Sequence, residues 1–282
     1  MSNGRKALLI AGVAVLATMV LLSGVIVGLR LGKDRTAAPA TAAGLATEFA
    51  QLESKLQMTA GIAVSAVGSQ QEPMTLGEWT SGPAWSTIKV PLVIAALREE
   101  NPPRVTDAVR AAITESSNAA AESIWASLGD PVTAAHKVDE VLRQTGDPTT
   151  VQSQKVRPQF SAFGQTEWPL TEQARFTSVA VCENANAPIF ALMSDVQADQ
   201  RWGLGTVPGS QFKGGWGPSP TGSYLVRQMG VLATPNGLAA VALAAQPASG
   251  RFEDGTAALT EIAAWLTTHL SALPAGECSH HR

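Results

Sequence analysis

The 282-residue sequence is poor in cysteine, in histidine and in net charge, with two cysteines, four histidines and a formal charge of -3. So small a charge gives no general attraction to polyanions, which excludes nucleic acid as an expected partner. Cys182 and Cys278, 96 positions apart, could close one disulfide in an oxidising compartment or stay free. Because Cys278 lies in a short polar tail, free thiols are the expectation. Cys278, His280 and His281 resemble a metal cluster only superficially, since three such residues on a chain end are more often solvated than ligating. No metal and no cofactor are expected. No internal repeat is present, and the Ala-rich stretches read as helix formers.

Long uncharged runs, by contrast, are present. Residues 7–29 (ALLIAGVAVLATMVLLSGVIVGL) carry no charge. At about 1.5 Å per helical residue this run spans a hydrocarbon core of about 30 Å. It reads as a transmembrane helix, with residues 1–6 as a short cytoplasmic tip. The run exceeds the apolar core of a cleaved signal peptide, although Ala38 to Ala40 offer an Ala-x-Ala cleavage match. No cysteine follows at a position suited to lipid-anchored cleavage. Arg5 and Lys6 precede the run and Arg30, Lys33 and Arg35 follow it, so basic residues do not fix its orientation. Residues 30–44 are small, polar and Pro-containing, as in a tether.

The folded domain is expected over residues 45–273, with 274–282 as a polar tail. LATEFAQLESKLQM at 45–58 has helical spacing, and 61–68 and 73–79 read as two strands. From Ser86 to about Asp195 the signals are helical, broken at Pro102-Pro103, Gly129-Asp130-Pro131 and Gly146-Asp147-Pro148. SQFKGGWG, SYLVRQMGVLAT and GLAAVALAAQ then read as three strands before a last amphipathic helix. The predicted class is α+β: an antiparallel five-stranded sheet flanked by N- and C-terminal helices, with an inserted all-helical subdomain over about 86–195.

Chemistry enters at AWSTIKVPL. Ser86 and Lys89 stand at i, i+3, one helical turn apart, so the lysine amine can meet the serine hydroxyl. Burial beside Val90, Pro91 and Leu92 would lower the amine's pKa and leave it able to accept a proton. The helix N-terminus adds backbone N–H groups that favour a developing oxyanion. The same residues also suit a plain Ser N-cap with a solvated lysine. Two further elements follow in order: Ser116-Ser117-Asn118 heads an Ala-rich helical run, and Lys213-Gly214-Gly215 lies in a candidate strand. Alone, Ser116 could cap a helix, Asn118 satisfy a turn and Lys213 be solvated.

Ser-x-x-Lys, Ser-x-Asn and Lys-x-Gly in this order and context resemble the three-part signature of the class A β-lactamase and penicillin-binding protein superfamily. The resemblance runs over roughly residues 45 to 273, through WSTIKVPLVIAAL, VTDAVRAAITESSNAAAESIW and LGDPVTAAHKVDEVLRQTGDPTT. It implies Ser86 as the acylated nucleophile, Lys89 as its base and Ser116 as a proton relay to the leaving nitrogen. Asn118 would hold the substrate's acyl amide, Lys213 with Gly215 its carboxylate end, and the N–H groups of Ser86 and Trp216 the oxyanion. The implied substrate is a small molecule or peptide, such as a peptidoglycan stem peptide or a β-lactam. Such substrates lie outside the cytoplasmic membrane, which sets the expected orientation.

Three departures qualify what the resemblance implies. Ser117 stands where aspartate is usual, and Gly214 removes a hydroxyl expected to bind the substrate carboxylate. Arg157, in KVRPQF at 155–160, takes the place of the glutamate that activates water for deacylation, and a guanidinium is no base at neutral pH. Glu167 follows, but no spacing argument brings it to Ser86. Inefficient β-lactam turnover is therefore expected. The alternative is a catalytically degenerate domain that keeps the fold for binding or scaffolding at the cell envelope.

Overall fold

The computed structural model describes residues 42–279. The expected tip, membrane helix and most of the tether lie outside the described residues, as do His280 and His281. Among the described residues no helix is long and apolar enough to cross a membrane. The first helix, α1 (Ala42–Leu56), takes in the last three residues of the predicted tether.

A five-stranded antiparallel sheet organises the domain. Its strands are β1 (Met58–Ala66), β2 (Met74–Gly77), β3 (Gln211–Pro218), β4 (Tyr224–Thr234) and β5 (Gly237–Pro247), in the spatial order β2-β1-β5-β4-β3. Strand side chains alternate between faces, and β5 uses both. Ala239, Val241, Leu243 and Ala245 join the core shared with α1 and with α8 (Phe252–Thr268). Ala242 and Ala244 face the opposite way, toward α6 (Leu170–Ala180), with Ala174 and Leu170 against them. Small residues on that face let a helix sit close to the sheet.

Between β2 and β3 the chain builds the predicted helical insertion: α2 (Lys89–Glu99), α3 (Asp107–Thr114), α4 (Asn118–Ser127), α5 (Pro131–Gln144), α6 and α7 (Ala187–Leu192). Its starts are locally encoded. Thr106 Oγ1 accepts from Val109 N, Ser117 Oγ from Ala120 N, and Asp130 Oδ1 from Val132 N and Thr133 N, with Pro131 at the first turn.

Two expectations for the chain end are corrected. Cys182 and Cys278 form a disulfide, with Cα atoms 5.2 Å apart. The tail is docked: Leu238 N donates to Gly276 O at 2.7 Å, and Gly276 N donates back to Leu238 O at 3.0 Å. Polarity suggested a solvated end, but a backbone pair and a covalent link hold it to β5 and to the turn after α6.

Candidate active site

The segment before the nucleophile motif is pinned from three sides. Ala84 N donates to Thr166 O, Trp168 N to Gly82 O, and the fully buried Arg227 of β4 donates to Gly82 O and Pro83 O. Trp85–Ile88 then form a 3-10 turn, and α2 begins at Lys89. The predicted single helix thus starts as a tighter turn, with Trp85 at φ 49°, in the left-handed region that non-glycine residues seldom occupy. Buried groups support this turn: Arg227 Nη2 donates to Gln173 Oε1, Gln173 Nε2 to Thr87 Oγ1, and Thr87 Oγ1 to Ala84 O.

Strand β3 lies directly against it. A Cβ on Gly215 would fall 2.8 Å from Ser86 N and 2.9 Å from Ala84 O, so only glycine allows this backbone approach. Lys213 and Gly215 share a face by strand alternation, and that face meets the turn. Gly214 points the other way: a Cβ there would meet the Trp202 ring at 3.2 Å. The indole occupies the space into which the hydroxyl expected at 214 would project.

The middle element separates two tasks that its sequence left open. Ser117 caps α4, which frees the Ser116 hydroxyl, and Ser116 itself sits at φ 56°. Lys213 Nζ donates to Ser116 Oγ at 2.8 Å and to Gly214 O at 2.9 Å. Lys89 Nζ donates to Ser116 O at 2.6 Å and to Asn118 Oδ1 at 2.8 Å, and lies 3.4 Å from Ser116 Oγ. The two amines therefore converge on one hydroxyl. Lys89 directs its hydrogen bonds to the 116–118 turn rather than to Ser86 Oγ.

Neither lysine is solvated, since Lys89 is 1% exposed and Lys213 fully buried. Burial lowers the Lys89 pKa to about 7, against a small opposing pull from Glu122. Burial, and next the charge of Lys89, push Lys213 well below the usual lysine range. A neutral Lys89 amine has two N–H donors, which match Ser116 O and Asn118 Oδ1, and a lone pair left over.

A pocket of about 210 Å³ opens over this cluster. Ser86, Lys89 and Asn118 form one wall, Trp216 and Gly217 of β3 another, and Phe160 and Ser161 a third. Ser116, Lys213 and Gly215 do not line it; they stand behind the wall. Among the described residues no carboxylate lines the pocket. Arg157 lies outside it, its Nη1 donating to Pro218 O and its guanidinium over the Phe160 ring at 4.4 Å. Glu167 accepts from Ser81 Oγ at 2.6 Å and likewise does not line it. Phe160, Ser161 and Tyr224 are lining residues that sequence reasoning missed. The first two fall in an irregular stretch with no periodicity to mark them. Of the tryptophans near the motifs, Trp85 and Trp216 border the pocket, while Trp168 is fully buried with its Nε1 on Asp147 Oδ2.

No protein-family model and no curated protein sequence matches the chain. Solved structures do. A class A β-lactamase from Bacteroides cellulosilyticus superposes with a TM-score of 0.62 at 15% identity, covering 79% of this chain and 97% of that one. A β-lactamase from Streptosporangium roseum gives 0.61 at 14%, covering 82% and 100%. An ancestral class A β-lactamase gives 0.61 at 16%, covering 79% and 99%. With about four-fifths of this chain and nearly all of each neighbour superposed, the chain has the fold of the class A β-lactamases.

Proposed function

We propose that this protein is a Ser-Lys acyl-transfer enzyme acting on a peptide or β-lactam-type amide, with Ser86 as its nucleophile. The observation that carries the reading is the convergence of two buried amines, Lys89 and Lys213, on the Ser116 hydroxyl beside the Ser86 pocket. Structural buried charges are normally paired with an opposite charge, whereas these two amines share a hydroxyl and carbonyl oxygens.

In the proposed reaction Ser86 Oγ attacks the amide carbon while its proton passes to the neutral Lys89 amine. The tetrahedral oxyanion is met by the backbone N–H groups of Ser86 and Trp216. Collapse breaks the C–N bond, and the proton reaches the leaving nitrogen through Ser116. The acyl group stays on Ser86 as an ester. Asn118 holds the acyl amide, and Lys213 with Gly215 serves the substrate's carboxylate end, the amine acting from behind Ser116. Release of the acyl group requires an activated water or an acceptor amine, and with no carboxylate in the wall deacylation by water is slow.

We place the domain outside the cytoplasmic membrane, with residues 7–29 as its anchor. The disulfide supports this, since such bonds persist in oxidising compartments. A reporter fused after Arg282 should be active only on the outer side; activity confined to the cytoplasm refutes the placement.

The principal test is intact-mass measurement after incubation with a fluorescent penicillin. A lasting adduct that is absent in Ser86→Ala is expected. Rapid turnover without an adduct overturns the slow-deacylation part. A second reading, a binding domain that has lost catalysis, is favoured by the orientation of Lys89 toward the 116–118 turn and by Gly214. It predicts no adduct with any β-lactam or stem peptide.

A further inference from the structure

A second cavity, of about 400 Å³, lies beside the Ser86 pocket and shares with it Trp85, Gly217 and Pro218. Two of these shared residues pack directly on each other: a Cβ on Gly217 would fall 2.4 Å from the Trp85 ring. The cavity's size is that of a small-molecule site, and its lining is mainly apolar, with Trp79, Leu225 and Pro83 on the inner side. Val156, one of two large apolar residues strongly exposed among the described residues, stands at 69% exposure in its lining.

The wall combines the largely buried Trp85 ring with one guanidinium. Trp85 is 7% exposed, and its Nε1 is buried without a hydrogen-bond acceptor. Arg157, the one charged lining residue among the described residues, has five N–H donors, of which Nη1 donates to Pro218 O. Among the described residues no acid lines the cavity, and Glu167, which binds the lining Ser81, is not part of the wall. Behind Trp79 the Arg227 guanidinium lies 5.3 Å from the ring centroid, so the inner wall is also backed by positive charge.

We propose that this cavity binds a small anionic amphiphile, its apolar body against Trp79, Trp85 and Leu225 and its carboxylate on Arg157. The proposal does not depend on acyl transfer at Ser86. Calorimetric titration of the full Ser86→Ala chain with 4-phenylbutyrate and with the neutral 4-phenylbutan-1-ol tests it. Saturable binding of the carboxylate is expected, with the alcohol about tenfold weaker. Arg157→Gln should reduce the carboxylate to the alcohol's affinity, and Val156→Asp, an exposed change that spares the fold, should weaken it about tenfold through like-charge repulsion. Asn118→Leu, which alters only the neighbouring pocket, should leave binding unchanged. Absence of saturable heat, equal affinity for the two probes, indifference to both Arg157→Gln and Val156→Asp, or loss of binding in Asn118→Leu would each overturn the proposal.

Discussion

Two kinds of buried cation flank the nucleophile turn, and they are treated oppositely. Arg227 is surrounded by acceptors: Gly82 O, Pro83 O, Trp168 O and Gln173 Oε1 lie within 2.8 to 3.0 Å of its two terminal nitrogens. Burial lowers its pKa to about 9, so it stays charged at neutral pH. Lys89 and Lys213 have fewer acceptors for a more strongly hydrated charge, and burial lowers the pKa of both. The guanidinium's planar fork fixes backbone from several segments, whereas an amine with a depressed pKa can exchange a proton. One side of the turn is scaffold and the other is reactive.

The largest test of this contrast is Arg227→Met. It leaves four acceptors without their donor and should cost about 4 kcal/mol or more, read as a lower melting temperature. Arg227→Lys should recover only part of that loss, because one ammonium cannot span four acceptors. Next comes Lys89→Met, expected to slow acylation by roughly 10³-fold without lowering the melting temperature at pH 6. Equal loss of stability in the lysine and arginine variants would erase the distinction.

The pH dependence sharpens it further. Acylation should rise with pH and reach half its maximum near 7, where Lys89 loses its proton. Below that point it should fall about tenfold per pH unit in a stopped-flow or quenched assay. The sign for stability follows from the same lowered pKa. Between about 7 and about 10.4 the unfolded chain holds a proton that folded Lys89 has released, so this group's penalty shrinks as pH rises. Any stability advantage of Lys89→Met should therefore be largest at pH 6 and smaller at pH 9. The smallest effect belongs to Lys213→Met, where removal of a buried, strongly hydrated amine should raise stability by about 1 kcal/mol, a shift of roughly 2–4 °C.

Much of this arrangement was legible beforehand. Alternation and turn residues located all five strands, and the insertion followed from its Pro and Gly breaks. Of the three motifs, Ser86 with Lys89 and Ser116 with Asn118 sit at the starts of elements, and Lys213 lies inside β3, whose glycine at 215 lets the strand approach the nucleophile turn. Arg227 was not legible. Nothing in SYLVRQMGVLAT marks its single arginine as buried, and the carbonyls that hold it arrive from residues 82, 83 and 168. The docked tail escaped notice for a similar reason, since its partners at 238 and 182 are distant in sequence. Trp202 beside Gly214 is a third such case: the missing hydroxyl reads as a lost function until the ring filling its place is seen.

The link from Cys182 to Cys278 also has a mechanical consequence. It closes the stretch containing β3, β4, β5 and α8 into one covalent loop. Tension applied at the C-terminus is carried straight to the end of α6, so a pull there cannot peel the closing helix and strands away one at a time.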